Sequence, residues 1–342
     1  MSDKKSGCLA LSLFLLLCAS LLVNVGLFSS KLGSSFSNTG LKSSGNSDLP
    51  HFEENVIQKS TGGSGDRVAL IKIDGVISSS APGQLTDSMV DDAKVALRQA
   101  VADDHVRAIV LHIDSPGGEV TASDVIYNEV RAARQRKKVV VYMGSVAASG
   151  GYYIACGGDY LMANDTTITG SIGVIMHTLK YKDLFGKIGV ESIVFKSGQF
   201  KDILSGSRDM TQPEREYIQA MVMQTYDKFV GIVANERKID EGLLRTNIAD
   251  GRIISGKDAV VANLINSTGY IEDAFNKARE LANSPNAAVV EYKAEFNFSS
   301  LFRSMNSEAK TGSRKVEVSL GEGLMPRLEA GRIYLLPSYY AE

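Results

Sequence analysis

Hydrophobic and polar positions change rhythm four times along the chain. Residues 1–7 are polar, with Lys4 and Lys5 among them. Residues 8–28 run from Cys8 to Phe28 without a charge. A helix of that length spans about 30 Å, the thickness of a bilayer core. Residues 29–66 are rich in Ser, Gly and Asn and have no hydrophobic period, as expected of a flexible tether. From Arg67 onward short β-branched runs alternate with stretches of helical period, up to about residue 290. Residues 291–342 form an extension of mixed character, with a late apolar stretch, Ile333-Tyr-Leu-Leu336, that suits a strand or a packing arm.

Within 67–290 the pattern predicts strands at 68–77 (interrupted at Gly75), 108–113, 139–142, 160–163 and 193–195. It predicts helices at 85–100 and 120–135, from about Ser149, and from about Thr211, then at 255–264 and 271–283. In the helix after Thr211, Ile218, Val222, Phe229 and Val233 share an apolar face. Thr211 and Glu214 have capping-box spacing, with Pro213 in the first turn. Strands alternating with helices at this pitch indicate βα units and a mainly parallel sheet.

Composition adds a few exclusions. Net charge is −2 with dispersed basic residues, which does not describe a nucleic-acid groove. Of three cysteines, Cys8 and Cys18 fall in the apolar run, so Cys156 has no disulfide partner in the folded part and reads as a small buried hydrophobe. No Cys/His spacing suggests a metal site, and no cofactor is expected. Lys4 and Lys5 ahead of the apolar run favour a single-pass anchor with residues 1–7 in the cytoplasm and the bulk on the far side. A cleaved leader is the rival, though no small-residue cleavage site is evident.

Four short motifs carry candidate chemistry: Asp114-Ser-Pro-Gly-Gly118, Ala147-Ala-Ser-Gly-Gly-Tyr-Tyr153, Thr169-Gly-Ser-Ile-Gly-Val174 and Ser197-Gly-Gln-Phe-Lys-Asp202. Ser149 follows a strand at a tight turn, where backbone N–H groups can hold a developing oxyanion. A serine hydroxyl needs a base. None of the four histidines, His51, His105, His112 and His177, sits in a motif that positions it, and His177 is the one competitor. Lysine is the other route if an apolar setting lowers its pKa. Lys201 has Phe200 and Ile203 as neighbours, while Asp202 beside it would favour the charged form.

These four motifs, in this order, resemble the bacterial signal peptide peptidases of the SppA (protease IV) type, from about Arg67 to about residue 285. Gly251-Arg-Ile-Ile-Ser-Gly-Lys257 also looks like a family segment, while Asn263-Leu-Ile-Asn266 departs from a more glycine-containing turn. The resemblance implies a ClpP/crotonase-like α/β fold of repeated ββα units, behind one transmembrane helix, with 67–290 as the protease domain. It implies a Ser–Lys dyad of Ser149 and Lys201. Gly118 and Gly150 would be the oxyanion donors, with Gly117 a rival for the first, and Ser171 would orient the lysine. The length matches single-copy members. The resemblance further implies a ring-like homo-oligomer whose lysine reaches the serine of a neighbouring protomer, and cleaved signal peptides as substrates.

The expectation is therefore a serine endopeptidase anchored in the cytoplasmic membrane, its catalytic domain on the extracytoplasmic side. Three rivals stand beside it: a related protease that cuts a specific membrane-protein partner, a crotonase-type acyl-CoA enzyme, and a non-catalytic oligomeric scaffold.

Overall fold

The computed structural model describes residues 52–63, 65–79, 88–294 and 334–335. The apolar run 8–28, His51, Cys8 and Cys18 lie outside them. Among the described residues no helix is long and apolar enough to cross a membrane.

The strands are β1 (Phe52–Gln58), β2 (Arg67–Asp74), β3 (Val106–Ser115), β4 (Gly118–Glu119), β5 (Lys138–Ala148), β6 (Tyr160–Ala163), β7 (Ile168–Gly170), β8 (Ile253–Ser255), β9 (Ser267–Thr268), β10 (Ala288–Ala294) and β11 (Tyr334–Leu335). The helices are α1 (Met89–Ala102), α2 (Val120–Arg134), α3 (Gly150–Ala155), α4 (Lys182–Lys187), α5 (Gln212–Arg237), α6 (Glu241–Asn247), α7 (Gly256–Val261) and α8 (Ile271–Leu281).

One sheet runs β1-β10-β2-β3-β5-β6-β9, with β7 on the far end of β5 and β8 beyond it. The pairs β10–β2–β3–β5–β6–β9 are parallel and β1 is antiparallel on β10. The βα alternation explains the parallel centre. Residues of period two split cleanly between the two faces. Ala69, Ile71, Ile109, Leu111, Val139 and Val141 face the larger core with Leu97, Ile126, Tyr153 and Phe229 from α1, α2, α3 and α5. Val68, Leu70, Ala108, Val110 and Val140 face the smaller one with Phe275 and Ala278 of α8.

Four expectations are corrected here. Part of the stretch read as tether is sheet: β1 pairs with β10 from Phe52↔Ala294 onward, Phe52 packs on Tyr292, and Arg67 pairs with Glu54. Its polar alternation hid a strand that buries only one residue well. Second, the strand expected at 139–142 does not end there: β5 runs on through Gly144 to Ala148. Three residues between Met143 and Ala147 face one between Ile113 and Ser115, so the strand bulges. The Asp114 carboxylate accepts the freed Val146 N–H at 3.0 Å. Past the bulge β5 leaves β6 and pairs with β7. Third, Ile193–Phe195 is no strand. Among the described residues none pairs with it, and Phe195 is 95% exposed. Fourth, the apolar face of α5 is buried at Phe229 and Val233 but only half-buried at Ile218 and Val222, because among the described residues no helix or strand covers its first half.

The departure at Asn263 is accommodated. Asn263 adopts a left-handed φ of 57°, which Asn tolerates, and its side chain donates to the Arg237 carbonyl.

Candidate active site

The site is built where the bulged end of β5 meets two glycine turns. Ser149 follows the last residue of β5 with φ 52° and ψ −114°. A non-glycine residue there carries strain of about 1–3 kcal/mol, kept only where the surroundings dictate it. They do so here. Ser149 N–H donates to the Gly170 carbonyl at 2.8 Å, and its own carbonyl accepts from Tyr153 N–H at 2.8 Å. Tyr152 and Tyr153 anchor the following helix from inside: their hydroxyls donate to the Leu264 carbonyl (2.8 Å) and to Asp124 (2.7 Å). Ser149 is fully buried, and its Oγ has no hydrogen-bond partner among the described residues. A buried hydroxyl left unpaired is costly for a structural residue and natural for one awaiting a ligand.

The Asp114–Gly118 turn lies against it. Gly117 sits at φ 109°, a conformation reserved for glycine. A Cβ on Gly118 would fall 1.9 Å from the Ile77 carbonyl, since Ile77 and Gly118 form a parallel bridge. A Cβ on Gly150 would lie 2.6 Å from Ser123 Oγ and 3.1 Å from Gly118 N. The Gly118 amide and the first residue of α3 are thus side by side. Gly117 N–H is engaged by Ser115 Oγ at 3.1 Å, which favours Gly118 as the donor facing the site. The backbone of β11 runs antiparallel to β4, with Leu335 opposite Gly118 and Tyr334 opposite Glu119. The late apolar stretch therefore supplies a strand.

The third wall is β7 and its turn. Thr169 Oγ1 donates to the Ala147 carbonyl at 2.7 Å. Gly170 at φ 76° and Ser171 at φ 51° follow, with Ser171 N–H held by the Arg252 carbonyl at 2.7 Å. Ser171 is buried and directly follows the residue that binds Ser149 N–H. Ser149, Gly150, Gly118 and Ser171 are so brought together.

Lys201 is not. It lies in an exposed stretch, 175–228, whose apolar side chains Leu179, Leu184, Ile188, Ile193 and Phe195 are all more than half exposed. No hydrogen bond or ion pair joins Lys201 to Ser149. The histidines do not replace it. His177 is exposed, and His112 stacks on Tyr142 with Asp74 at 3.5 Å. Burial pushes the pKa of His112 down. Cys156 is buried, and its thiol is pushed up to about 12, so it is no nucleophile at neutral pH. Among the described residues no group of His, Cys, Asp and Glu is placed to hold a metal ion.

Asp202 is not turned on Lys201. Arg208 grips it through Nε (2.8 Å) and Nη2 (2.7 Å), and Lys196 through Nζ (2.7 Å). Arg208 had no motif or period to mark it in the sequence. Ser123, which abuts Gly150, was likewise hidden within an ordinary helical pattern.

Comparison with known proteins places the chain in a family. The profile of peptidase family S49 matches residues 131–284, and that of Clp protease matches residues 78–168. A protein of Enterococcus faecium named as a signal peptide peptidase SppA is 35% identical over 237 residues, covering 68% of this chain and 68% of that protein. The chain belongs to peptidase family S49. A protein of Synechocystis named as a protease is 37% identical over 216 residues, covering 63% of this chain and 74% of its own length. A protease of Methanocaldococcus jannaschii is 42% identical over 195 residues, 57% of this chain. The match spans 62% of that archaeal protein, and only 36% of Protease 4 of Salmonella typhi. The S49 chain is by class a serine peptidase on a ClpP-like α/β domain.

Proposed function

We propose that this S49 chain is a serine endopeptidase acting through Ser149 and Lys201, the two contributed by different copies in a ring-like homo-oligomer. The carrying observation is the mismatch between a buried, strained Ser149 with an unpaired hydroxyl and an exposed, apolar segment bearing Lys201. Each half lacks what a second copy would bring. Docking of that segment would bury its apolar side chains and desolvate Lys201, which favours the neutral amine that a general base must be.

In this reading Lys201 takes the proton from Ser149 Oγ as Oγ attacks the peptide carbonyl. The N–H groups of Gly118 and Gly150 hold the oxyanion, a contribution of about 10²–10³ in rate per donor. Lys201 then protonates the leaving amine, and water releases the acyl group by the same route in reverse. Ser171 orients the lysine. The pairing of β11 with β4 supports an extended peptide as ligand, since a strand backbone already fits beside Gly118. The uncharged run 8–28 supports a membrane anchor with the catalytic domain on the extracytoplasmic side, and signal-peptide remnants near the bilayer as substrates.

Cleavage of a signal-peptide library by the full chain, beside Ser149→Ala and Lys201→Ala of verified assembly state, tests this. Loss of cleavage in both assembled variants is expected. An equimolar mixture of the two should regain activity, because some interfaces then hold one intact pair. An active Lys201→Ala, or an inert parent, overturns the reading.

A further inference from the structure

Asp202 poses a problem for any role of Lys201 as a base. A carboxylate within about 4–6 Å of an amine holds it protonated and raises its pKa by about 1–3 units. The structure places Asp202 next in the chain to Lys201 and then keeps it occupied. Arg208 donates to both of its carboxylate oxygens, Nε to Oδ2 and Nη2 to Oδ1, and Lys196 donates to Oδ1. The same guanidinium reaches Glu214 on the first turn of α5, with Nη1 donating to Oε2 at 2.9 Å. Glu214 is 1% exposed and closes the helix end by accepting Thr211 N–H at 2.8 Å and Thr211 Oγ1 at 3.0 Å. Arg208 therefore clips the turn that carries Lys201 onto the N-terminus of α5.

We infer that Arg208 is a positioning residue for Lys201: by binding Asp202 and Glu214 together it fixes the lysine's turn to α5 and withholds the Asp202 carboxylate from the lysine amine. The inference rests on the Ser149–Lys201 reading. The charged groups around the turn are Lys196 on its own segment, Arg208 from the following loop and Glu214 from α5. Asp209, the next acidic residue, is turned to Lys180 and Lys182. Lys196 and Arg208 offset Asp202 and Glu214, so Lys201 stands beside a cluster of no net charge. Without Arg208 the cluster is negative and Asp202 is open on the side Arg208 covered. Two-point gripping of a carboxylate is a task that Arg does and Lys does not. The hydrogen bonds from Arg208 and Lys196 hold Asp202 far below the usual carboxylate range, and those from Arg208 and Thr211 bring Glu214 to about 2. Both carboxylates are thus charged wherever the enzyme would work.

The test is the pH profile of kcat/KM for a fluorogenic peptide, with full-length protein whose assembly is checked. Arg208→Gln is expected to move the acidic limb up by about one pH unit, on top of a pH-independent loss from the loosened turn. Asp202→Asn combined with Arg208→Gln is expected to return the limb to its original position. A role confined to bracing would lower activity equally at all pH, and the second substitution would not restore it; that outcome overturns the inference. Should Arg208→Gln fail to assemble, Arg208→Lys carries the same test, with an upward shift of about half a unit expected and an unmoved limb counting against the idea. Lys201→Ala is measured in parallel. If it stays active, the base is elsewhere and this inference falls with the dyad. If it is dead and the Arg208→Gln limb is unmoved, only this inference falls.

Discussion

The sheet-bearing body and the stretch from 175 to 228 treat apolar side chains in opposite ways. In the body, Val110, Ile113, Val141, Ile154 and Phe229 are fully buried, as a chain with 44% apolar residues allows. In the outlying stretch Phe195 is 95% exposed, Ile193 73% and Leu179 68%. Both regions are ordinary in composition. The difference is that the body buries its apolar side chains within itself, whereas among the described residues little packs against those of the outlying stretch beyond the ring contacts of Tyr181 with Phe185 and Phe200 with Tyr217. Exposed apolar surface of this extent is what the proposed contact with a second copy would cover. The proposed dyad divides along the same line, with Ser149 in the body and Lys201 in the outlying stretch.

Removing one group from each region tests the division most directly. Ser149→Ala and Lys201→Ala should each lower peptide cleavage by at least about 10³-fold. Thermal unfolding should leave Ser149→Ala as stable as the parent or more so, since a buried hydroxyl with no partner among the described residues is removed while the backbone strain stays. A Lys201→Ala variant with parental rates would dissolve the division.

Next come paired changes of aromatic residues. Phe229→Ala in the body should cost about 3–5 kcal/mol in a denaturant titration. Phe195→Ser should stay within about 0.5 kcal/mol in the dissociated chain, yet weaken assembly in sedimentation. Equal losses of stability would mean that the outlying stretch packs within its own copy.

Glycines sharpen the contrast at smaller scale. Gly150→Ala forces a Cβ against Ser123 and should destabilise by about 1–3 kcal/mol while cutting activity well beyond that of the parent's fraction folded. Gly186→Ala in α4 meets nothing within 4 Å and should be neutral or slightly stabilising, because Ala is the better helix former.

The smallest expected effect is one of acid. Glu214 titrates at about 2 when folded, because Arg208 and Thr211 donate to it, and Asp202 is depressed further. The unfolded carboxylates titrate near 4. A depressed folded value means stability that is fully present above the unfolded pKa and lost as pH falls through the folded one. Hydrogen exchange in 196–215 should therefore be flat in free energy from pH 8 to 5 and loosen only below about pH 4. Loosening already between pH 8 and 6 would count against the Arg208 cluster.

Much of the body was legible because its strands alternate with helices and its cores follow period two. The four motifs were legible too, since glycine clusters announce turns that other residues cannot form. What was missed has physical causes. β1 was hidden because an edge strand buries one residue and leaves the rest polar. The bulge at Gly144 was hidden because a side chain, Asp114, does the pairing in place of a strand. Ile193–Phe195 read as a strand because β-branched and aromatic residues suit either a sheet or an interface, and only the lack of a partner tells them apart. Arg208 could not be found because its role depends on three residues, Asp202, Glu214 and Lys196, that acquire meaning only when the chain turns back on itself.

Helix α5 has 26 residues, and its buried root begins at Phe229. The distance from that root to Gln212 is about 26 Å at helical rise. It is thus a lever, with the fulcrum in the body and the Arg208 clip near its tip. A tilt of about 5° at the root would sweep the tip through about 2 Å, while misplacement of a reacting group by about 1 Å can cost about 100-fold in rate. With Lys201 as the proposed base, its alignment tolerance is set in the middle of the core, by how firmly Phe229, Val230 and Val233 are seated, at a site remote from the proposed chemistry.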